Sequence, residues 1–368
     1  MNNSYADFKI LQHIDRIQSL KRTGSCNPVT LKMILSDLCN HNCSFCTFRL
    51  GDSLNKNFGE YDPARGIMNY NPKRFLSKEK ALEVIDDCVE MGVRAIEFTG
   101  GGEPTVHPNH IEIFKKVVDS GLELALISNG NVMRKGFVET ILRASWCRFS
   151  IDASTPETYS KIREVSKNTF HKVLKNIEGL VEARQQNKDS NLVIGTSFIV
   201  TEDNFNELYD AVKIISELGV DNIRVAYYWT DKGFVTDQYK SVCKQIRKAK
   251  RDFESDNFKI IDRFTLESRG DTPNTPQRPD YDYCGYQHVS TWISPDYNLY
   301  RCCVTAYDDS GLIGSIRNTS FKQLWESEIK KEKMKNFSAK SCSHCIYNGK
   351  NKVMNFILDE DNKHINFM

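Results

Sequence analysis

Short apolar strands alternate with helices over residues 29–258, and this alternation restricts the fold more than any other feature. Six strand–helix units follow one another with polar loops between them. Such alternation is typical of parallel α/β architecture. Six units are fewer than the eight that close a full barrel, so we expect a partial (β/α)6 barrel with one open side. The predicted strands cover 29–35, 95–99, 124–128, 148–151, 192–200 and 222–227, and the helices cover 77–91, 109–120, 136–144, 156–187, 204–218 and 234–254.

Three further segments flank or interrupt this region. Residues 1–28 form a lead-in, in which Phe8, Leu11, Ile14, Ile17 and Leu20 recur at three-residue steps and predict a helix that closes one end of the barrel. Residues 47–76 are rich in glycine and proline and predict an irregular insertion that serves as a lid. From residue 259 the alternation stops, and 259–368 is predicted to be a smaller domain.

Composition limits the class of protein. The net charge of +2 does not suggest a nucleic acid or an anionic membrane as partner. No apolar run reaches the roughly 18 residues that span a bilayer, and the N-terminus lacks a signal-peptide pattern. Twelve cysteines without an export signal favour metal or redox chemistry in a reducing compartment. We therefore expect a cytoplasmic protein.

The loop after the first predicted strand carries Cys39, Cys43 and Cys46, with three and then two residues between them. A closed zinc site needs four protein ligands, and His41 would be the fourth in that interpretation. A cubane iron–sulfur cluster held by three thiolates would keep one iron open for chemistry. The spacing by itself leaves both interpretations in place.

Polar motifs follow the first four predicted strands. The cysteine loop comes first, then the Gly100–Pro104 loop, then Ser128 with Asn129, and then Ser150 with Asp152. In parallel barrels the active residues lie at the carboxyl ends of the strands. These four motifs should therefore meet on one rim.

The motifs Cys39-x3-Cys43-x2-Cys46, with Phe45 before the last cysteine, and Gly101-Gly102-Glu103-Pro104 after the second strand, resemble the radical S-adenosylmethionine (radical SAM) superfamily. The resemblance covers roughly residues 29–258 and implies a TIM-like partial barrel. It also implies a [4Fe–4S] cluster on the three cysteines, with its open iron chelated by SAM. Such an enzyme takes an electron from a donor such as flavodoxin or ferredoxin and cleaves SAM to methionine and a 5′-deoxyadenosyl radical, which abstracts a hydrogen atom from the substrate.

The resemblance also implies roles for single residues. Glycines at 100–102 would let the backbone approach the methionyl group, and Glu103 would support its ammonium. Arg163 resembles the arginine that grips the SAM carboxylate. For these residues, capping, packing and surface roles are the alternatives. The candidate SAM contacts are Phe45, Gly101, Gly102, Glu103, Ser128, Asn129, Ser150, Asp152, Arg163 and Val225, with Tyr227 beside Val225 at the end of the sixth strand.

Five of the twelve cysteines lie beyond residue 259. With Trp292 and the Gly311–Ile316 stretch around them, they resemble the SPASM or shorter Twitch domains that carry auxiliary clusters in this superfamily. There are too few for two clusters, so the resemblance implies one auxiliary [4Fe–4S] cluster. A zinc ribbon is the alternative. The candidate ligands are Cys284, Cys302, Cys342 and Cys345, with Cys303 spare.

The leading hypothesis is a radical SAM enzyme that acts on a small molecule or a peptide, with a net two-electron oxidation assisted by the auxiliary cluster. About 28 residues precede the first strand, which we expect to be too few for a fused domain that binds a leader peptide. One alternative is a zinc-stabilised α/β binding or scaffold protein. Others are a nucleic-acid modifier, which the charge does not favour, and an epimerase in which a cysteine returns the hydrogen atom. The remaining cysteines, Cys26, Cys88, Cys147 and Cys243, are predicted to be structural.

Overall fold

A ten-stranded, mostly parallel sheet forms the framework of the molecule. The computed structural model describes residues 6–46, 48, 61–62, 67–68, 73–227, 236–267 and 278–359. The strands are β1 (Thr30–Met33), β2 (Ala95–Phe98), β3 (Glu123–Ser128), β4 (Trp146–Ser150), β5 (Val193–Val200), β6 (Asn222–Tyr227), β7 (Lys259–Asp262), β8 (Ser290–Ile293), β9 (Asn298–Tyr300) and β10 (Leu312–Ser315). Tyr61–Asp62 and Ile67–Met68 form a separate antiparallel pair.

Helices connect the parallel strands and cover one face of the sheet. Three 3₁₀ segments, Asp7–His13, Pro104–Val106 and Ala339–Ser341, complete the described elements. The helices are α1 (Ile14–Thr23), α2 (Lys78–Glu90), α3 (His110–Asp119), α4 (Phe137–Ile141), α5 (Pro156–Arg163), α6 (Asn168–Gln186), α7 (Leu208–Glu217), α8 (Thr236–Phe253), α9 (Phe264–Glu267), α10 (Tyr286–Val289), α11 (Phe321–Glu326), α12 (Glu328–Lys335) and α13 (Asn348–Leu358).

The strand order is β10-β9-β8-β1-β2-β3-β4-β5-β6-β7. Strands β1 to β7 are parallel and lie in chain order, and β8 pairs parallel with the free side of β1. Strands β9 and β10 extend that side as antiparallel hairpin partners. Parallel neighbours in chain order require one crossover per strand, which the helices supply. The predicted α/β fold with a parallel sheet is confirmed.

Two strands carry the sheet beyond the predicted domain boundary. Strand β7 pairs with β6 although it begins at residue 259, and β8 pairs with β1 from within the segment predicted to be a separate domain. The boundary at 258/259 stays a prediction about domains, but hydrogen bonding of the sheet is continuous across it. Most of the predicted insertion at 47–76 lies outside the described residues.

Alternation along the strands divides the side chains between two environments. In β1, Leu31 and Met33 are fully buried, whereas Thr30 and Lys32 face the other side and are partly exposed. Successive strand residues point to opposite faces, so every second residue packs beneath the helices. One large apolar core lies between the sheet and its helices. The opposite, concave face carries the polar residues.

The N-terminal lead-in packs differently from the prediction. It is a 3₁₀ segment followed by α1, and Ile10, Ile17 and Leu20 pack with Met354 of α13. Phe8, Leu11 and Ile14, which we expected on the same buried face, are exposed. Phe8 and Leu11 are three residues apart in the 3₁₀ segment, where side chains three residues apart share one face, and that face is not the one on which Ile10 is buried. Ile14, the first residue of α1, is exposed, whereas Ile17 and Leu20 of the same helix are buried. Among the described helices, none combines the length and apolarity that crossing a membrane would require.

Candidate functional site

Two loops at the carboxyl ends of neighbouring strands are bound to each other through their backbones. The Gly102 amide donates to the Ser36 carbonyl at 2.9 Å, and the Glu103 amide donates to the Leu38 carbonyl at 2.9 Å. A Cβ atom on Gly102 would lie 2.1 Å from the Leu38 carbonyl oxygen. Only a residue without a side chain allows this approach. The glycine loop thus fixes the chain immediately before Cys39.

Glu103 links the second and third loops from a fully enclosed position. Its Oε1 accepts from the Thr105 amide at 3.0 Å, the Thr105 hydroxyl at 2.8 Å and the Ser128 hydroxyl at 2.8 Å. Its Oε2 accepts from the Asn129 amide at 2.7 Å. Burial raises the pKa of Glu103, and these four hydrogen bonds act in the opposite direction. The carboxylate organises the two loops.

Asn129 connects the third loop to the cysteine loop. Its side-chain amide donates to the Asn40 side-chain oxygen at 2.8 Å and lies 3.9 Å from Cys39 Sγ. The backbone amide of His41 also approaches Cys39 Sγ, at 3.5 Å. Amide donors of this kind stabilise a thiolate and influence the potential of a cluster that it binds.

The fourth strand leads to a buried ion pair beside the second cysteine. Asp152 binds Arg163 through a carboxylate–guanidinium contact, and its other oxygen accepts from the Ile199 amide at 2.6 Å. Arg163 Nη1 lies 3.8 Å from Cys43 Sγ. Burial alone would lower the pKa of Arg163, but Asp152 and then Cys43 raise it, so the guanidinium stays charged. This places a fixed positive charge against a thiol.

Asp152 needs an uncommon backbone conformation to make these contacts. Its φ is 57°, in the left-handed region, and its carbonyl accepts from the Asn204 side-chain amide at 2.8 Å. Such strain persists only where surrounding contacts hold it in place. The same position was predicted to contact SAM, and it lies on the predicted rim.

Three further candidate SAM contacts are Phe45, Ser150 and Val225. Phe45 is half-buried, and the Arg163 guanidinium lies 6.0 Å from the centre of its ring. The Ser150 hydroxyl, at the end of β4, accepts from Ser197 at 3.3 Å. The side chain of Val225 is fully buried in the core beneath the helices, on the strand face opposite Arg224. The position of a residue at the end of a strand does not predict which face of the sheet its side chain occupies, because successive side chains point to opposite faces.

Cys39, Cys43 and Cys46 supply three thiolate donors from one loop, and thiolates are the ligands that iron–sulfur clusters use. In the described part of the chain, no group of three or more His, Cys, Asp or Glu side chains is arranged to hold a metal ion. Zinc needs its ligands about 2.0–2.3 Å from one centre. A cubane binds each thiolate at a different iron, so its ligands stand further apart.

Two atoms beside the cysteine loop, Arg163 Nε and the Tyr159 hydroxyl, are buried without a hydrogen-bond partner among the described residues.

The four predicted auxiliary ligands share one enclosed cavity, here called the four-cysteine cavity. Cys284, Cys302, Cys342 and Cys345 all line it, together with Arg301. Burial raises the pKa of Cys284 to about 12 and that of Cys342 to about 11, so without a metal these thiols are neutral. Iron would offset that cost by binding the thiolates. The donor set fits one four-iron cluster.

Cys303 faces the interior of the barrel and not the four-cysteine cavity. It does not line the four-cysteine cavity, although it directly follows Cys302. Its thiol is 3.3 Å from the Tyr347 hydroxyl, and the Tyr347 ring stacks on Tyr286 with centroids 3.7 Å apart. The two tyrosines line both cavities. They therefore separate the predicted auxiliary site from the interior of the barrel.

The concave face of the sheet encloses an open cavity of about 830 Å³, here called the barrel cavity. It reaches from Gly100, beside the glycine loop, to Cys303 and Tyr347. Lys32 and Glu97 form an ion pair of 2.9 Å inside it. Burial alone would lower the pKa of Lys32, but Glu97 raises it, so the pair is charged.

Sequence reasoning did not single out the polar residues on this face. Lys32, Glu97, Arg148 and Arg224 each stand in the middle of an otherwise mostly apolar strand. A charged residue at that position is rarely buried unless it faces a cavity or a partner. That single polar position in each strand was the available signal.

Comparison with protein families gives two matches. The model of the radical SAM superfamily matches residues 33–215, and the model of an iron–sulfur cluster-binding domain, SPASM, matches residues 284–346. The two segments coincide with the two cysteine sets.

Several curated proteins resemble parts of the chain. The antilisterial bacteriocin subtilosin biosynthesis protein AlbA of Bacillus subtilis is 24% identical over 275 residues, which cover 74% of this chain and 57% of AlbA. An S-adenosylmethionine-dependent nucleotide dehydratase of Flammeovirga pacifica is 31% identical over 134 residues, or 36% of this chain and 41% of the dehydratase. The alignments with these two relatives thus span about half of the relatives' own length.

Solved structures share the fold at low identity. SuiB of Streptococcus suis bound to its precursor peptide SuiA superposes with a TM-score of 0.62 at 12% identity, covering 93% of this chain and 77% of SuiB. SuiB bound to S-adenosylmethionine gives the same TM-score at 15% identity, covering 96% and 78%. At these identities the likeness concerns the fold alone.

Proposed function

Since this chain belongs to the radical SAM superfamily and carries a C-terminal SPASM domain, we propose that it modifies a peptide by abstracting a hydrogen atom inside the barrel cavity. The observation that carries the proposal is the barrel cavity itself, which extends from the glycine loop to the wall of the four-cysteine cavity. Its volume of about 830 Å³ is in the range of ligand-binding cavities. A short peptide segment fits such a space.

Two similarities support a peptide over a free small molecule. AlbA, which is named for the biosynthesis of a bacteriocin, aligns with 74% of this chain. SuiB, whose fold covers 93% of this chain, was solved with a precursor peptide. The proposal therefore places a peptide segment, delivered by a partner or as part of a longer precursor, at the open side of the sheet.

The cofactors are a [4Fe–4S] cluster with S-adenosylmethionine and auxiliary iron–sulfur chemistry in the SPASM domain. When bound, they supply the 5′-deoxyadenosyl radical that removes hydrogen from an unactivated C–H bond. The residues of this chain prepare that site. Cys39, Cys43 and Cys46 would hold the first cluster, and Cys284, Cys302, Cys342 and Cys345 the second.

The described side chains of the protein position the loops around the SAM site and separate the two cavities, and we assign none of them a covalent step. Glu103 fixes the second and third loops, so the residues that would contact SAM are ordered before it binds. The Asp152–Arg163 pair fixes the fourth loop against Cys43 in the same way. Tyr286 and Tyr347 separate the barrel cavity from the four thiols. With four protein ligands, the auxiliary site suits electron storage, so we propose a net two-electron oxidation with flavodoxin or ferredoxin as the donor for SAM cleavage.

The test uses anaerobically reconstituted protein with SAM and dithionite. Wild-type protein should form 5′-deoxyadenosine, and Cys43→Ser should not. Addition of a synthetic library of peptides deuterated at Cα and Cβ should raise the rate of 5′-deoxyadenosine formation above the rate without peptide, and deuterium should appear in the 5′-deoxyadenosine. The peptide products should have lost two hydrogen atoms.

Two results would contradict the proposal. Absence of iron-dependent 5′-deoxyadenosine formation would remove the radical activity. Deuterium transfer from small-molecule pools and from no peptide would remove the peptide substrate while leaving that activity in place.

A further inference from the structure

We propose that the Tyr159 hydroxyl of α5 donates a hydrogen bond to a sulfur atom of the iron–sulfur cluster held by Cys39, Cys43 and Cys46, and thereby raises the reduction potential of that cluster. The inference rests on the proposed assignment of the first cluster to these three cysteines. It concerns a residue that the sequence motifs did not single out, and it requires neither the substrate nor the auxiliary site.

The first observation is a buried donor without an acceptor. The Tyr159 side chain is fully buried, and its hydroxyl has no hydrogen-bond partner among the described residues. Burial of an unpaired hydroxyl is unfavourable, and a phenylalanine ring would fill the same space without that cost. The hydroxyl therefore indicates an acceptor that the described side chains and backbone do not supply.

The second observation is the position of the Tyr159 ring, between the apolar core and the cysteine loop. The ring packs against Phe170 of α6, with ring centres 5.3 Å apart. It also meets the His41 ring at 6.1 Å between centres, almost at a right angle. His41 is buried and stands between Cys39 and Cys43 in the chain. The tyrosine thus lies against the stretch that joins two of the three thiols.

Helix α5 is also bound to the cysteine loop through the backbone. The Asn42 amide donates to the Arg163 carbonyl at 3.0 Å. The Ser44 amide donates to the Ile162 carbonyl at 2.9 Å. These two hydrogen bonds stand on either side of the second cysteine, so the last turn of α5 positions its thiol. Tyr159 lies one turn earlier on the same face of the helix as Arg163, because residues four apart share a face.

Arg163 supplies a second donor at the same place. Its guanidinium lies 5.3 Å from the centre of the Tyr159 ring, and its Nη1 lies 3.8 Å from Cys43 Sγ. Its Nε is buried and, like the Tyr159 hydroxyl, has no hydrogen-bond partner among the described residues. Two unpaired donors beside one thiol indicate a group rich in acceptors. The thiolate and sulfide sulfurs of a cubane form such a group.

A hydrogen bond to these sulfurs favours the reduced cluster, because reduction adds negative charge to the atoms that accept the bond. A cluster of higher potential takes its electron more readily from a donor such as flavodoxin or ferredoxin. Tyr159 is therefore a positioning residue that acts through the cluster and does not touch the substrate.

The test is an anaerobic redox titration of the reconstituted full-length protein with dithionite, followed by electron paramagnetic resonance. The signal of the first cluster is the one that Cys43→Ser should lack. Tyr159→Phe should lower the ratio of reduced to oxidised first cluster at least threefold at a fixed potential, a shift of about 30 mV for one electron. Tyr209 of α7 donates its hydroxyl to Asp252 at 3.0 Å at an exposed site. Tyr209→Phe is therefore the matched control and should leave the ratio unchanged.

A second measurement detects the hydrogen bond itself. In protein reconstituted in D2O, the reduced first cluster should show, by electron–nuclear double resonance, a coupling to one exchangeable deuteron that Tyr159→Phe lacks. Should Tyr159→Phe lose iron, Tyr159→Met, which also lacks a donor, is measured in the same two ways.

The outcomes distinguish the inference from the assignment beneath it. An unchanged potential or an unchanged set of deuteron couplings in the Tyr159 variant would overturn the inference, as would the same shift in Tyr209→Phe. Full iron content and both cluster signals in Cys43→Ser would instead overturn the ligand assignment.

Discussion

Two buried carboxylates in the loops after the strands, those of Glu103 and Asp152, are held by hydrogen-bond donors and, for Asp152, by a positive charge. Glu103 accepts four hydrogen bonds, and Asp152 is bound to Arg163 and to the Ile199 amide. A buried charge without such partners costs several kcal/mol. The two carboxylates therefore fix the loops that they join, and substituting either one should have effects beyond the loss of one contact.

Asp152→Asn should lower the free energy of unfolding by about 3 kcal/mol, because it leaves the Arg163 guanidinium buried without a counter-charge. Both side chains of this pair are almost fully buried, at 3% and 1% exposure. Urea denaturation followed by circular dichroism measures the change. Asp119→Asn, in the exposed pair with Arg143, should cost less than about 1 kcal/mol. Similar costs for the two variants would contradict a structural role for the buried pair.

Cys302→Ser and Cys303→Ser should differ although the residues are neighbours. Cys302 lines the four-cysteine cavity, whereas Cys303 faces Tyr347 and the barrel cavity. We expect Cys303→Ser to keep about eight irons per chain and Cys302→Ser to lose about four, if each cluster is a cubane. Iron and sulfide analysis after anaerobic reconstitution decides this. Loss of iron in Cys303→Ser alone would reverse the assignment.

At the scale of elements, the site is a contact between loops that follow adjacent strands. The backbone bonds from Gly102 and Glu103 to the segment before Cys39 exist because β1 and β2 are in register, with Met33 beside Phe98. Parallel pairing brings the two strand ends to one level. The pairing of β1 with β2 therefore positions the glycine loop, and the glycine loop in turn positions the start of the cysteine loop.

Gly102→Ala should weaken SAM binding at least tenfold, because its Cβ would lie 2.1 Å from the Leu38 carbonyl oxygen and push the two loops apart. Calorimetry on reconstituted protein measures the affinity. Gly179→Ala, in α6, is the control, because the added Cβ would have no atom within 4 Å apart from its chain neighbours and the backbone of its own helix. It should bind SAM normally and gain up to about 1 kcal/mol of stability from helix propensity. Unchanged affinity in Gly102→Ala would show that the loop contact is dispensable.

In the whole molecule, the N-terminal segment and the C-terminal part hold each other. The Trp325 indole donates to the Cys26 carbonyl at 3.0 Å, and Lys330 Nζ donates to the Ser25 hydroxyl at 2.8 Å. The Cys26 thiol donates to the His288 carbonyl at 3.4 Å. These contacts join residues far apart in sequence, so the SPASM part and the barrel should unfold together.

His288 makes that junction sensitive to acid. Burial, together with Lys330 and Arg301, lowers the pKa of His288 to about 3, from about 6.5 when unfolded. The folded state therefore holds it neutral, and its stabilising effect is present above pH 6.5 and lost as pH falls toward 3. The slope is about 1.4 kcal/mol per pH unit.

His288→Phe, which keeps a ring beside Tyr283, should flatten the pH dependence of the unfolding free energy between pH 7 and 5.5 by about 1 kcal/mol. Denaturant titrations at several pH values measure it. His171→Phe, at an exposed position of α6, is the control and should retain the wild-type slope. An unchanged slope in His288→Phe would place the acid sensitivity elsewhere.

Much of the fold was predictable because it depends on local periodicity. The helix predicted at 77–91 is α2, with Ser77 accepting from the Lys80 amide at its start and Gly92 at φ 67° after its end. Caps and alternation are encoded within a few residues. The packing of the N-terminal lead-in was harder to predict, because Ile10 is buried against the distant helix α13 while Phe8 is exposed, and no local pattern distinguishes the two residues.

The sequence by itself determined the strand–helix order, the two cysteine sets and the glycine loop, because covalent spacing and short-range patterning are sufficient for these. Only the tertiary structure decided which face each strand residue takes, so Val225 lies in the core and Arg224 lines the cavity. It likewise decided that Cys302 and Cys303 lie on opposite sides of one wall, and that β7 and β8 continue the sheet. These outcomes depend on pairing between segments distant in the chain, and no local pattern specifies such pairing.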